Sequence, residues 1–87
     1  MMNNVTIYSS RFCGYCTRAK MLLDKKGVDY TEIAVDMDPE KRREMEQLAG
    51  RTSVPQIFIG DEHVGGCDEL YALEHAGQLD ERLGLTG

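Results

Sequence analysis

The spacing of apolar positions changes several times along the chain, and each change predicts a different element. The β-branched and aromatic run Val5–Tyr8 stops at two serines, which is typical of a short buried strand. From about Tyr15 to Lys26, apolar residues recur every three or four positions between charged ones. This pattern predicts a helix with one buried face, closed by Gly27. Residues 28–35 return to β-rich character and predict a second strand.

The second half of the chain predicts a helix, a hairpin and a last helix. Asp38 suits an N-cap and Pro39 suits the first position of a helix that ends before Gly50. Residues 56–64 place a two-residue Gly-Asp turn between two β-rich runs, which predicts a β-hairpin. Residues 68–76 have apolar positions on one helical face, so we expect a helix there.

The predicted order of elements is therefore β-α-β-α-β-β-α. Leu79–Leu83 adds a last short turn after the final helix. A short strand-helix-strand unit favours parallel pairing with a right-handed crossover, and the hairpin adds antiparallel strands. The fold class is therefore α/β, a mixed four-stranded sheet flanked by helices. Because no repeat or linker interrupts the chain, we expect residues 1–87 to form a single domain.

Composition and charge exclude several classes of protein. With 41% hydrophobic and 29% charged residues, the chain has the composition of an ordinary globular protein. A net charge of -5 disfavours nucleic acid as a partner. No apolar run approaches the ~20 residues that span a bilayer, so we expect no membrane contact. The chain begins without a secretory signal pattern, and we therefore expect it in the cytoplasm.

The strongest chemical signal is the tetrapeptide Cys13-Gly14-Tyr15-Cys16. Cys13 falls in the loop just before a predicted helix, where unpaired N–H groups and the helix dipole favour a thiolate. Arg11 adds positive charge nearby. Cys16 lies one helical turn further on, close enough to attack a mixed disulfide formed on Cys13. The spacing predicts a nucleophile and a resolving thiol.

The alternative is that the Cys-x-x-Cys pair forms half of a zinc site, with Cys67 or His63 as further ligands. Structural zinc sites usually combine two close pairs of ligands. The chain has no second Cys-x-x-Cys and only two histidines. We therefore expect no metal site of this kind. Cys67 by itself is more typical of a small buried residue or a helix start than of a redox group.

Ser53-Val54-Pro55 is a second motif, just before the third predicted strand. A proline at this place can only begin the strand, and a cis peptide bond is tolerated in such a turn. The backbone of Val54 would then face outward and could pair with an extended substrate. The simpler interpretation is that the proline only marks the entry to the strand.

Gly65-Gly66-Cys67-Asp68 is a third motif, at the start of the last predicted helix. The glycines allow close approach of a ligand, and the free N–H groups of Cys67 and Asp68 suit a carboxylate. Asp68 could then bind an adjacent ammonium group. The simpler interpretation is that Asp68 is an N-cap and that the glycines end a hairpin.

The three motifs, in this order and at these separations, resemble the glutaredoxin family from Val5 to about Leu83, and most closely its bacterial glutaredoxin 3 type. The resemblance implies the thioredoxin fold and glutathione as the reductant of protein disulfides and glutathionylated proteins. It implies that Cys13 is the nucleophile and Cys16 the resolving cysteine. It also implies that Arg42 binds the glycine carboxylate of glutathione. The other residues that the resemblance places at the glutathione site are Arg11, Tyr15, Val54, Pro55, Cys67 and Asp68.

Two departures from the family pattern keep alternatives open. Gly14 stands where the commonest tetrapeptide has proline, and Ser10 stands where a lysine is usual, so Arg11 would supply the charge. Relatives without the proline sometimes bind a bridging [2Fe-2S] cluster through the nucleophilic cysteine and glutathione, here Cys13, which makes a cluster-binding dimer the alternative function. A thioredoxin-like protein reduced by a flavoenzyme is disfavoured by Tyr15 and by the third motif. We expect a monomer whose partners are glutathione and disulfide-containing or glutathionylated proteins.

Overall fold

The computed structural model describes residues 3–85 and has the predicted order of elements, with the last short turn formed as a helix. None of the helices within these residues is long and apolar enough to cross a membrane. The elements are β1 Val5–Ser9, α1 Gly14–Lys25, β2 Thr31–Ala34, α2 Pro39–Ala49, β3 Gln56–Ile59, β4 Glu62–Gly65, α3 Cys67–His75 and α4 Leu79–Leu83.

The four strands form one mixed sheet in the order β2-β1-β3-β4. β1 is parallel to β2 and antiparallel to β3, which is antiparallel to β4. Tyr8, near the end of β1, therefore pairs with Gln56, the first residue of β3. This register brings the loop that leaves β1, residues 10–13, beside the loop that enters β3, residues 53–55. The predicted sheet is confirmed, and its register positions the site.

Alternating side chains of β1 and β3 enter two cores, one on each face of the sheet. Burial of each large aliphatic side chain contributes ~1.5–3 kcal/mol to stability. The core beneath α1, α3 and α4 includes Ile7, Leu23, Ile57, Leu70, Leu79 and Leu83. The core beneath α2 consists of Tyr8, Val35, Met45 and Phe58. Both faces of the sheet are therefore covered by helices.

The second strand is shorter than its predicted span of 28–35, because it covers only Thr31–Ala34. The amide of Val28 donates to the carbonyl of Leu23, so this part of the chain completes the end of α1 before pairing begins. Val28 and Val35 are both buried outside the strand. Their apolar character predicts the core correctly, but it does not mark where the strand begins and ends.

The start of α2 follows its predicted capping. The Oδ1 atom of Asp38 accepts a hydrogen bond from the amide of Lys41 at 3.1 Å, and Pro39 is the first helical residue. Asp38 therefore satisfies one of the amides that the first turn leaves without a helical partner. The helix ends at Gly50, whose φ of 69° is a left-handed conformation.

Candidate active site

Cys13 is the N-cap of α1, with extended backbone angles of -125° and 107°. Its Sγ accepts a hydrogen bond from the amide of Cys16 at 3.1 Å, and its carbonyl accepts one from the amide of Thr17 at 3.1 Å. An N-cap side chain is usually the oxygen of Ser, Thr, Asp or Asn, and here a sulfur has that role. The capping amide therefore donates directly to the sulfur atom that a nucleophilic role would use.

The thiol of Cys13 has a second contact, with the carbonyl oxygen of Val54 at 3.8 Å. The protonated sulfur can donate to this oxygen, whereas the ionised sulfur can only accept. The two hydrogen bonds therefore suit different protonation states of the same atom. The contact also places the reactive sulfur directly beside the loop that enters β3.

Cys16 is buried beneath Cys13, with 1% of its surface exposed. Desolvation by burial, together with the hydrogen bond from its thiol to Cys13, raises the pKa of Cys16 to about 12. Cys16 is therefore a protonated thiol when Cys13 first reacts. Cys13 is half-buried, so an incoming sulfur can reach it but cannot reach Cys16.

An open groove of about 230 Å³ adjoins Cys13. It brings together five of the residues that the sequence predicts for a glutathione site, from α1, the loop before β3 and the start of α3. It also contains four residues that were not assigned to the site. The predicted lining residues are Tyr15, Val54, Pro55, Cys67 and Asp68, and the added ones are Arg51, Ser53, Gly66 and Glu69.

The loop that forms one wall of the groove is held from below by a buried glutamine. The Val54–Pro55 peptide bond is cis, a conformation that the sequence allows for this turn. The side-chain amide of Gln56, which is fully buried, donates to the carbonyl of Ser53 at 2.9 Å. The Oε1 atom of Gln56 lies 2.7 Å from Nε2 of His63 on the neighbouring strand. A polar residue in the otherwise apolar strand β3 thus fixes the backbone beside Cys13.

The first turn of α3 forms the opposite wall. The helix begins at Cys67, one residue earlier than predicted, and its N-cap is Gly66, so the interpretation of Asp68 as the N-cap is wrong. The first helical hydrogen bond joins the amide of Leu70 to the carbonyl of Gly66 at 3.1 Å. The amides of Cys67 and Asp68 therefore have no partner within the helix, and both residues line the groove.

Glu69 and Arg51 form an ion pair across one end of the groove. The Oε1 atom of Glu69 accepts from the amide of Gly66 at 2.7 Å and from Nη1 of Arg51 at 2.9 Å. These two contacts, in that order of importance, hold the pKa of Glu69 below its usual value. The pair joins the loop before β3 to the start of α3, the two segments that form the walls of the groove.

Cys67 is one of the lining residues of the groove, but only 4% of its surface is exposed. Burial raises its pKa, a change that the charge of Arg18 partly opposes and that of Asp68 reinforces. A protonated, buried thiol is a poor nucleophile. The structure thus agrees with the simpler interpretation of Cys67 as a buried residue at a helix start.

Two of the basic residues that the sequence assigns to the site lie outside the lining of the groove. The Nε atom of Arg11 is 3.2 Å from Oδ2 of Asp36, in the loop after β2. The Nη1 atom of Arg42 donates to the carbonyl of Thr52 at 3.1 Å, which ties α2 to the loop before β3. Arg11 therefore joins two loops, and Arg42 supports one wall of the groove from behind.

Sequence reasoning missed the ion pair between Arg51 and Glu69. A partial signal was present, because Glu69 stands three residues after Gly66, which is the spacing of a capping box. Arg51 has no comparable local signal, because it meets Glu69 only through the packing of distant segments. Within residues 3–85, no three His, Cys, Asp or Glu side chains converge where they could hold a metal ion.

A cysteine that caps a helix, a buried thiol one turn away and an adjoining groove define a thiol-disulfide oxidoreductase site. The profile of the glutaredoxin family matches residues 5–64. The chain is 58% identical over 82 residues to a glutaredoxin of Pseudomonas aeruginosa, a match that covers 94% of this chain and 98% of that protein. It is 54% identical over 82 residues to glutaredoxin 3 of Escherichia coli K12, covering 94% and 99% of the two chains.

The crystal structure of a buckwheat glutaredoxin-glutathione complex superimposes with a TM-score of 0.87 at 34% identity. The match covers 94% of this chain and 77% of that one. This chain therefore belongs to the glutaredoxin family of thiol-disulfide oxidoreductases and has the thioredoxin fold. The family resemblance and the fold that the sequence predicts are both confirmed.

The close approach of β4 and α3 leads to a prediction about Gly65. Its φ is 120°, and an added Cβ would lie 2.5 Å from Oε1 of Glu69. We expect Gly65→Ala to lower the free energy of unfolding in urea by about 1–3 kcal/mol, because backbone strain adds to the displacement of Glu69. The control is Gly14→Ala, where nothing lies within 4 Å of an added Cβ and we expect no loss. Equal stability of the two variants would contradict this account.

Proposed function

We propose that this glutaredoxin uses glutathione to reduce protein disulfides and glutathione mixed disulfides. The observation that supports this most is the lining of the groove. It includes Val54, whose carbonyl contacts the Cys13 sulfur, and Cys67 and Asp68, whose amides have no partner within α3. A tripeptide thiol with a carboxylate at its far end matches both features. The glutathione complex of the buckwheat relative supports the same assignment.

The first step is thiol-disulfide exchange at Cys13. Its thiolate attacks one sulfur of the substrate disulfide, and a new S–S bond forms as the substrate S–S bond breaks. The electron pair leaves on the departing sulfur, which takes a proton from solvent. The amide of Cys16 donates a hydrogen bond to the attacking sulfur and so orients it at the start of α1.

The second step depends on the substrate. When glutathione is left on Cys13, the thiolate of another glutathione attacks the glutathionyl sulfur, so that glutathione disulfide and the Cys13 thiolate are released. When a protein is left on Cys13, the sulfur of Cys16 attacks the Cys13 sulfur, and the bond between Cys13 and the protein breaks as a Cys13–Cys16 bond forms. The proton of Cys16 passes to the departing sulfur, so the protein leaves as a reduced thiol. Two glutathione molecules then reduce that disulfide and become glutathione disulfide.

Glutathione binding is assigned to the two walls of the groove. The γ-glutamyl carboxylate accepts from the amides of Cys67 and Asp68, and the Asp68 carboxylate binds the adjacent ammonium group. Tyr15 and Pro55 contact the tripeptide backbone. Val54 pairs with it through its own backbone. The roles of Arg11 and Arg42 stay predictions, because both lie outside the lining.

The test is NADPH oxidation in an assay coupled through glutathione and glutathione reductase, with a small mixed disulfide as substrate. We expect Asp68→Asn to raise the KM for glutathione about tenfold with kcat nearly unchanged, because it removes a charge-assisted contact with the bound ammonium. The matched control is Asp61→Asn in the β3–β4 turn, which should behave as wild type. Turnover with thioredoxin reductase and none with glutathione would refute the proposal.

The alternative, a [2Fe-2S] cluster that bridges two copies of the chain, would take Cys13 and glutathione as its ligands. Cys16 is buried, so Cys13 is the one sulfur of the tetrapeptide that an external cluster could reach. Among residues 3–85, no further His, Cys, Asp or Glu side chains join it in a set of ligands. We therefore propose no step that involves a cluster.

We also propose that the protein acts in the cytoplasm, as a monomer and as a single domain. The cycle needs a pool of reduced glutathione, and the cytosolic pool is poised to keep such thiols reduced. A monomer suffices, because Cys13, Cys16 and the groove all belong to one chain.

A further inference from the structure

Exposed apolar side chains occur in the loops that follow β1 and β2 and in the first turn of α1, at the end of the sheet that holds Cys13. Phe12 is 97% exposed, Met37 is 78% exposed and Tyr15 is also exposed. These are three of the six large hydrophobic side chains that are exposed within residues 3–85. The other three lie elsewhere and are Met21, Leu48 and Leu85.

Phe12 and Met37 come from neighbouring loops, and together they are called the apolar rim. β1 and β2 are parallel, so the loops that follow them leave the same edge of the sheet. Oδ2 of Asp36 joins these loops, because it lies 3.5 Å from the amide and 3.2 Å from Nε of Arg11. Phe12 directly follows Arg11, and Met37 directly follows Asp36.

The apolar rim is separate from the groove, because neither of its residues lines it. A phenylalanine this exposed contributes almost no burial to the stability of the fold. Glutathione bound in the groove would leave the rim uncovered. The rim is therefore available to the part of a protein substrate that lies outside the groove.

We propose that the apolar rim binds an apolar side chain next to the target cysteine of a disulfide-containing protein segment. This inference rests on the proposed role of Cys13 as the nucleophile. The target sulfur must reach Cys13, and Phe12 directly precedes Cys13 in the chain. The next residue of an extended segment is only ~3.5 Å from the target cysteine, which is within reach of Phe12. The adjoining charges of Arg11 and Asp36 pair with each other, so the surface favours an uncharged side chain over a charged one.

The test compares two disulfide-bonded peptides that differ in one residue beside the target cysteine, leucine in one and serine in the other. Pre-reduced protein is mixed with each peptide, and the rate of the first exchange is followed without glutathione. We expect Phe12→Ser to lower the rate constant for the leucine peptide about tenfold and that for the serine peptide less than about twofold. Met37→Ser should act in the same direction, and Met21→Ser, which removes an exposed methionine from α1, is the matched control.

Equal rates of wild type on the two peptides, or equal losses on both in Phe12→Ser, would overturn the role of the rim. Failure of wild type to reduce either peptide would instead refute Cys13 as the nucleophile. Self-association of wild type that Phe12→Ser abolishes, with peptide rates unchanged, would identify a second copy as the occupant and would also overturn the proposal. Far-ultraviolet circular dichroism of each variant checks that the fold is retained.

Discussion

Replacing Cys13 with serine is expected to abolish reduction of both protein disulfides and glutathione mixed disulfides. Every step of the proposed cycle forms or breaks a bond to this sulfur, and a serine hydroxyl is not ionised at neutral pH. The rate in the glutathione-coupled assay should fall to that of the uncatalysed exchange. A mixed disulfide between the variant and a small glutathionylated substrate should also be absent from mass spectra.

The control for this variant is its stability, because loss of activity must not come from loss of the fold. Cys13 is the N-cap of α1, and serine is one of the preferred residues at that position because its oxygen can accept from the same amide. Cys13→Ser should therefore keep a free energy of unfolding within about 1 kcal/mol of wild type while activity is lost. Retained activity would show that another group is the nucleophile.

The apolar pattern predicted the fold well because each element buries one face against the sheet. Because side chains alternate along β1, Ile7 lies in one core and Tyr8 in the other. The helical period of α1 places Leu23 on the face that packs against the sheet. The apolar pattern does not give the first and last residues of β2. Val28 and Val35 are buried by tertiary packing, outside the ladder that defines the strand.

Site residues were predictable where a reactive side chain stands at a position that local sequence also marks, such as a helix start. Cys13 could be placed at a helix start because the period of α1 begins directly after it. The groove-lining position of Arg51 depends on a salt bridge with Glu69, eighteen residues further along the chain. Arg11 looked like a source of positive charge for Cys13, but its partner Asp36 follows another strand. Such pairings arise from the register of the sheet, which local sequence does not specify.

Replacing Cys16 with serine is expected to separate the two activities. The capping contact to Cys13 comes from the backbone amide of residue 16, so this one of the two hydrogen bonds between the residues remains when the side chain changes. Glutathione mixed disulfides need only Cys13 and a second glutathione, and their turnover should stay within about threefold of wild type, a change below ~1 kcal/mol. Reduction of protein disulfides should be lost, because no internal thiol can displace the bound protein.

The distinguishing measurement for this variant is mass spectrometry of its reaction with a disulfide-containing protein. Cys16→Ser should accumulate a covalent adduct at Cys13, whereas wild type should release the reduced protein and form its own disulfide. Cys16 is buried, and a hydroxyl in its place lowers the free energy of unfolding by about 1–3 kcal/mol if it finds no hydrogen-bond partner. Both assays should therefore be run at a temperature well below the unfolding transition. An adduct at residue 16 in Cys13→Ser, with none at Cys13 in Cys16→Ser, would reverse the two assigned roles.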